Sequence, residues 1–207
     1  MDARGVIWYN IADMRKSTAE RDTRETKISV SVDLDGSGTA DIDTGIGFFD
    51  HMLELFARHA LVDLRVKAAG DLKVDYHHTV EDTGLVLGKA LNEALGDRVG
   101  IVRYGFASLP MDEALCETSI DLGGRPFVSI STPMKHAFVR DFEVKLIEEF
   151  FRALSVEGRM NIHMRQISGD EAHHVCEAFF KGFARAFRAA KAIDPNERGV
   201  PSSKGVL

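Results

Sequence analysis

Cysteine is nearly absent. Two residues, Cys116 and Cys176, stand in a chain of 207, too few for the disulfide framework of a small secreted domain. No stretch approaches the ~20 consecutive apolar residues of a membrane-spanning helix, and Met1 to Lys16 has no apolar run of the kind a secretion signal carries. A positive surplus is missing as well. Lys and Arg number 26 against 32 Asp and Glu, a formal charge of −6, whereas a nucleic-acid surface calls for a basic face. These absences predict a cytoplasmic protein with no nucleic-acid or membrane partner. They leave room for a small anion held by a few local arginines. What remains is ordinary: 44% hydrophobic and 28% charged, long enough to bury a real core as one large domain or two fused small ones.

The eight histidines carry the information. Four form adjacent pairs, His77-His78 and His173-His174. Each pair is followed three residues later by a glutamate, Glu81 or Glu177, and the second motif lies 96 residues after the first (77 to 173, 81 to 177). Beyond each motif the same offset matches Leu87 with Phe183, Ala90 with Ala186, Leu91 with Phe187 and Ala94 with Ala190. That i, i+3, i+4, i+7 spacing is the buried stripe of an amphipathic helix.

Upstream, Asp63–Ala69 and, more weakly, Asn161–Ile167 alternate as strands, ending in Gly70-Asp71 and Gly169-Asp170. Helical patterns precede them over about Phe48–His59 and Phe142–Glu157. Extended segments precede those: Lys27–Leu34 and Thr39–Asp43, with Asp35-Gly36 read as a hairpin-like turn, then Val102–Leu109, Glu113–Leu122 and Phe127–Ser131. The chain thus reads as strands, helix, strand, helix, twice. We expect an α+β fold of two similar halves from an internal duplication, each a sheet packed against helices. The divisions are 1–23 as an N-terminal extension, 24–100 and 101–193 as the halves, and 194–207 as an irregular tail.

On a helix His77 and Glu81 share a face at i and i+4, while His78 points about 100° away. Each motif therefore suits two ions. If the halves are related by a pseudo-twofold axis, His77 and Glu81 can join His174, and His173 and Glu177 can join His78, within one chain or between two. Imidazole and carboxylate without thiolate suit Mn, Fe, Zn or Ni. Cys176 reads as packing, and His136 and His163 as surface residues.

The stretches Thr44–Leu53, His77–Asp82, Pro110–Leu115, Asp121–Pro126, His173–Glu177 and Pro201–Gly205 resemble, in order, the imidazoleglycerol-phosphate dehydratase family of histidine biosynthesis. The resemblance implies halves of four-stranded sheets like ribosomal protein S5 domain 2. It implies two divalent ions per active site, manganese first, in a homo-oligomer of about 24 subunits with sites at subunit interfaces. It names His51, His77, His78, Glu81, His173, His174 and Glu177 as metal ligands. Glu149 stands where the resemblance places a further histidine ligand, and the repeat sets it opposite His51; we read it as a ligand in that histidine's place, since a carboxylate suits Mn or Fe, the alternative being an impaired site.

Glu25 and Asp112, with the ligand glutamates Glu81 and Glu177, match the proton-transfer carboxylates. His51 and His59 match substrate contacts. Arg103, Arg125, Lys181, Ser202, Ser203 and Lys204 match the phosphate-binding set, which suits the forked donors of arginine and the point charge of lysine. The implied reaction is dehydration of imidazoleglycerol phosphate to imidazole-acetol phosphate. The His/Glu set by itself also permits a di-metal hydrolase of phosphate or amide substrates. A metal-storage bundle would show Glu-x-x-His on helices without intervening strands.

Overall fold

The computed structural model describes residues 15–207; residues 1–14 of the expected N-terminal extension lie outside it. The first half holds β1 (Lys16–Asp22), β2 (Thr26–Asp33), β3 (Ala40–Asp43), α1 (Gly47–Ala60), β4 (Asp63–Gly70) and α2 (His77–Leu95). The second holds β5 (Tyr104–Met111), β6 (Ala114–Asp121), β7 (Phe127–Ser131), the short strands β8 (Phe138–Val139) and β9 (Phe142–Glu143), α3 (Lys145–Gly158), β10 (Asn161–Ser168) and α4 (Ala172–Ala190). The sheets repeat one topology, β1-β2-β4-β3 and β5-β6-β10-β7. In each, the last pairing is parallel, and its crossover is the helix α1 or α3. The expected α+β duplication is what the structure shows.

Period-two burial makes the strands. β2 buries Thr26, Ile28, Val30 and Val32, and β6 buries Ala114, Cys116, Thr118 and Ile120, one face of each sheet lying under helices. α1 buries Phe49, Met52, Leu53, Phe56, Ala57 and Ala60, a single stripe at helical spacing. The repeat extends to the helix ends: α1 and α3 both stop at left-handed residues, Leu61 (φ 50°) and Arg159 (φ 49°), without the usual glycine.

The helices pair across the duplication, α1 with α4 and α2 with α3. Between α2 and α3 the backbones nearly touch. A Cβ at Gly84 would lie 2.6 Å from the Phe150 carbonyl oxygen, and one at Gly88 2.5 Å from that of Leu154, so only glycine fits. Phenylalanines fill the centre. Phe49 of α1 meets Phe150 of α3 (5.3 Å between centroids), Phe150 meets Phe180 of α4 (5.5 Å), and Phe56 meets Phe183 (5.4 Å). Each fully buried ring contributes roughly 1.5–3 kcal/mol by area, and each well-placed ring pair about 0.5–1.5 more.

Three expectations are corrected. Asp35-Gly36 does not join a hairpin: β2 pairs with β1 and β4, and β3 pairs only with β4. The Asp63 carboxylate accepts the backbone N–H groups of Ser37, Gly38 and Thr39 and turns this segment across the start of β4. The first sheet begins before residue 24. The polar strand β1, which buries only Ala19, is fastened to α2 by Asp82, which receives Arg21 Nε at 2.9 Å and the Thr26 hydroxyl at 2.5 Å. α3 starts at Lys145 rather than Phe142, because Phe142 and Glu143 pair with Val139 and Phe138 in the β8–β9 hairpin. Among the described residues no helix is long and apolar enough to cross a membrane.

Candidate metal centre

Both HHxxE motifs open their helices alike. The Asp75 carboxylate accepts the backbone N–H of His77 at 2.8 Å, and the Glu171 carboxylate that of His173 at 2.9 Å. In α4 the acceptor Glu171 is the N-cap itself, whereas in α2 Asp75 lies one residue before the N-cap Tyr76.

From there the adjacent histidines diverge. His173 turns toward α1, where its Nε2 and that of His51 each lie 3.0 Å from Glu177 Oε1. Among the described residues, these three form the one group whose ligand atoms all fall within 4.8 Å of one another. Glu177 is buried. Burial alone would raise its pKa, but hydrogen bonds from Lys181, His51 and His173 outweigh that and hold it at about 2. Two imidazoles and a buried, ionised carboxylate fit a divalent ion of the Mn, Fe or Zn kind.

The related place on α2 and α3 is more open. His77 Nε2 lies 3.6 Å from Glu81 Oε2. His77 and Glu149 share the wall of a cleft of about 410 Å³ with Tyr76, Asp141 and Glu143. Glu149 is the fifth residue of α3 as His51 is of α1, and Arg152 Nε lies 3.8 Å from its carboxylate.

The second histidine of each motif faces elsewhere. His78 Nδ1 donates to Asp71 at 3.0 Å, with Glu25 at 3.9 Å. His174 Nδ1 donates to Glu113 at 2.7 Å, and its Nε2 lies 3.8 Å from Asp112. Within one chain, then, His173 and Glu177 take His51 as their third partner and not His78. The roughly 100° between neighbouring helix positions directs the two rings of a pair to different places.

A family model for imidazoleglycerol-phosphate dehydratase (IGPD) matches residues 44–187. The chain belongs to the IGPD family. It is 53% identical over 194 residues to the imidazoleglycerol-phosphate dehydratase of Acidiphilium cryptum, covering 93% of this chain and 99% of that one. The crystal structure of IGPD from Pyrococcus furiosus is similar at a TM-score of 0.79 and 38% identity, covering 91% and 99% of the two chains. That of imidazoleglycerol-phosphate dehydratase from Staphylococcus aureus gives 0.76 and 37%, covering 86% and 100%. The expected family, a carbon–oxygen lyase of histidine biosynthesis, is the one found.

An IGPD needs a place for a phosphate, and the matched basic residues fall into two groups. Arg103, at a left-handed φ of 76°, spends its guanidinium on Asp121 (2.7 and 3.1 Å) and on the Pro201 carbonyl oxygen (2.8 Å). The tail is thus drawn to the Gly123-Gly124-Arg125 loop, where a Cβ on Gly124 would come within 3.0 Å of Leu207. Arg103, exposed Arg125, and Ser202, Ser203 and Lys204 lie along this one seam.

Lys181 belongs to the other group, donating to Glu177 and to Met111 Sδ at 3.4 Å. His59 lies close enough to feel Lys181, Arg185 and Glu177, and its pKa is lowered by burial first and those cations next. Sequence reasoning missed Asp71, Glu113 and Asp121. All three stand inside or beside quoted stretches, but nothing in their spacing separates them from solvated turn and strand-end carboxylates.

Proposed function

We propose that the chain dehydrates imidazoleglycerol phosphate to imidazole-acetol phosphate using two divalent ions, manganese in the first instance. The His51–His173–Glu177 cluster carries this reading, since it is a ready-made half of such a site in a chain of this family. Glu149, His77 and Glu81 are the equivalent half. His78 and His174, whose Nδ1 atoms are taken by Asp71 and Glu113 rather than by these clusters, complete the sites from neighbouring subunits.

A homo-oligomer of about 24 subunits is part of the reading. It is supported by the open face of the second sheet, where Tyr104, Phe106 and Phe127 are 58%, 60% and 53% exposed around a polar centre that includes Ser119 and His163, large rings that a partner would cover. A cytoplasmic location rests on the biosynthetic reaction class.

When bound, the ions act as Lewis acids that favour the deprotonated form of the substrate's ring. The chain's own residues do the rest. The helix-mounted histidines fix the ring in orientation. Glu25 and Asp112, which lie 3.9 and 3.8 Å from His78 and His174, are assigned to accept the proton that leaves the carbon next to the ring, with Glu81 and Glu177 as the other carboxylates of the site. Arg103, Arg125, Lys204 and the tail serines hold the phosphate, with Lys181 as a further cation. His59 borders the substrate.

The test uses purified, manganese-loaded protein. Imidazoleglycerol phosphate should yield a ketone with two ions bound per chain, while phosphate esters should release no phosphate. Hydrolysis of those esters without ketone formation would favour the di-metal hydrolase. Chelation should shrink the particle on sizing chromatography, and manganese should restore it. An unchanged elution volume after complete stripping would remove the interfacial part of the proposal.

A further inference from the structure

The two outward histidines are held in the same chemical manner by residues that the duplication does not relate. Asp71 lies directly after β4, in the connection that leads to α2. Glu113 sits at the tip of the β5–β6 hairpin. In strand register the counterpart of Glu113 is Glu25, since each immediately precedes the second strand of its hairpin, Ala114 in β6 and Thr26 in β2. Yet Glu25 stands off at 3.9 Å from His78 while Asp71 takes the same ring nitrogen at 3.0 Å. Glu113 holds His174 Nδ1 at 2.7 Å, and Asp112 approaches the opposite nitrogen at 3.8 Å.

Inheritance from a common half would have put equivalent residues in equivalent contacts. Two different loops delivering a carboxylate to the same atom, Nδ1, instead point to a requirement of the rings themselves. An ionised carboxylate only accepts, so in the neutral ring it fixes the proton on Nδ1 and leaves the Nε2 lone pair for a metal ion to take. That is how a histidine is presented to a metal ion, and the carboxylate also sets the plane of the ring.

We infer that Asp71 and Glu113 are positioning residues that commit His78 and His174 to metal binding through Nε2, a duty distinct from that of Glu25 and Asp112, the carboxylates already assigned to the substrate. The inference rests on the dinuclear reading above. It divides the four acids, two beside each ring, into two pairs with different tasks.

Manganese titration of the metal-stripped protein, followed by the electron paramagnetic resonance signal of free Mn²⁺, separates the pairs. Asp71→Ala and Glu113→Ala should each weaken binding at part of the sites by about 10- to 100-fold. Asp71→Asn and Glu113→Gln, which keep an accepting oxygen on Nδ1, should recover most of it. Glu25→Gln and Asp112→Asn should bind manganese as the parent does while losing turnover. Circular dichroism melts of the metal-free proteins identify any variant that fails to fold, and the amide variants then carry the comparison.

Parent-like manganese affinity in both alanine variants overturns the inference, as does an equal loss of metal in Glu25→Gln and Asp112→Asn. A parent protein that binds no manganese overturns the dinuclear reading itself, which is a distinct result.

Discussion

Replacing Glu149 by alanine should weaken one manganese site and leave the other alone. The carboxylate shares a cleft wall with His77 and is the α3 counterpart of His51, whose ring touches the other cluster. A charged contact of this kind contributes roughly 1.5–3 kcal/mol. Against that, Glu149 must give up Arg152 Nε at 3.8 Å, a long contact to an exposed arginine whose interaction is about 0–1 kcal/mol. The difference centres on about 2 kcal/mol, or about 30-fold in Kd. Isothermal titration of metal-stripped protein should resolve it as one weakened binding class beside one unchanged. Glu149→His should restore the class, because imidazole supplies an equivalent donor. If Glu149→Ala binds two ions per chain as tightly as the parent, Glu149 is not a ligand and the cleft is only a neighbour of the site.

Three other outcomes are expected. Arg125→Ala should raise KM by an amount equivalent to about 1.5–3 kcal/mol with metal content unchanged; loss of metal would give the arginine a structural role. Gly88→Ala forces a Cβ to within 2.5 Å of the Leu154 carbonyl oxygen, so urea unfolding should show about 1–3 kcal/mol of destabilisation from overpacking; an unchanged midpoint would mean that α2 and α3 can separate freely. Lys191, buried and donating to the Leu34 carbonyl oxygen, has its pKa lowered to about 8 by burial first and by neighbouring Arg15 next. The folded state therefore sheds this proton before the unfolded state does. Relative to Lys191→Met, the parent should gain stability as pH rises from about 8 to about 10.5, by at most about 3 kcal/mol. A melting-temperature difference that stays flat over that window would show that Lys191 is not held in a shifted state.

Periodicity made the four helices and most strands legible, because a stripe such as Leu87, Ala90, Leu91 and Ala94 has no reading other than a buried helix face. β1 was not legible: Lys16–Asp22 has no apolar alternation, and only its pairing with β2 and its fastening to Asp82 make it a strand. The HHxxE motifs pointed to candidate ligands and to the divergence of the two rings in each pair, which the structure places in different surroundings. They did not announce the partner, since the spacing that relates His77 to His173 is silent on which helix packs against which. Only the tertiary pairing of α1 with α4 set His51 beside Glu177. The orienting acids Asp71 and Glu113 were hidden for a plainer reason, that a carboxylate in a turn is the commonest kind of surface residue.

The exchange of helices between halves bears on descent. Each half sets one residue against the other's motif: His51 beside Glu177 of α4, and Glu149 in the cleft it shares with His77 of α2. A half-length ancestor would have held a complete cluster only as a pair of copies, and a single codon would then have set the donor in both. Fusion freed the two positions to change independently and turned an encounter between molecules into a step within one. Histidine at one and glutamate at the other is a difference that no such pair of identical copies can carry.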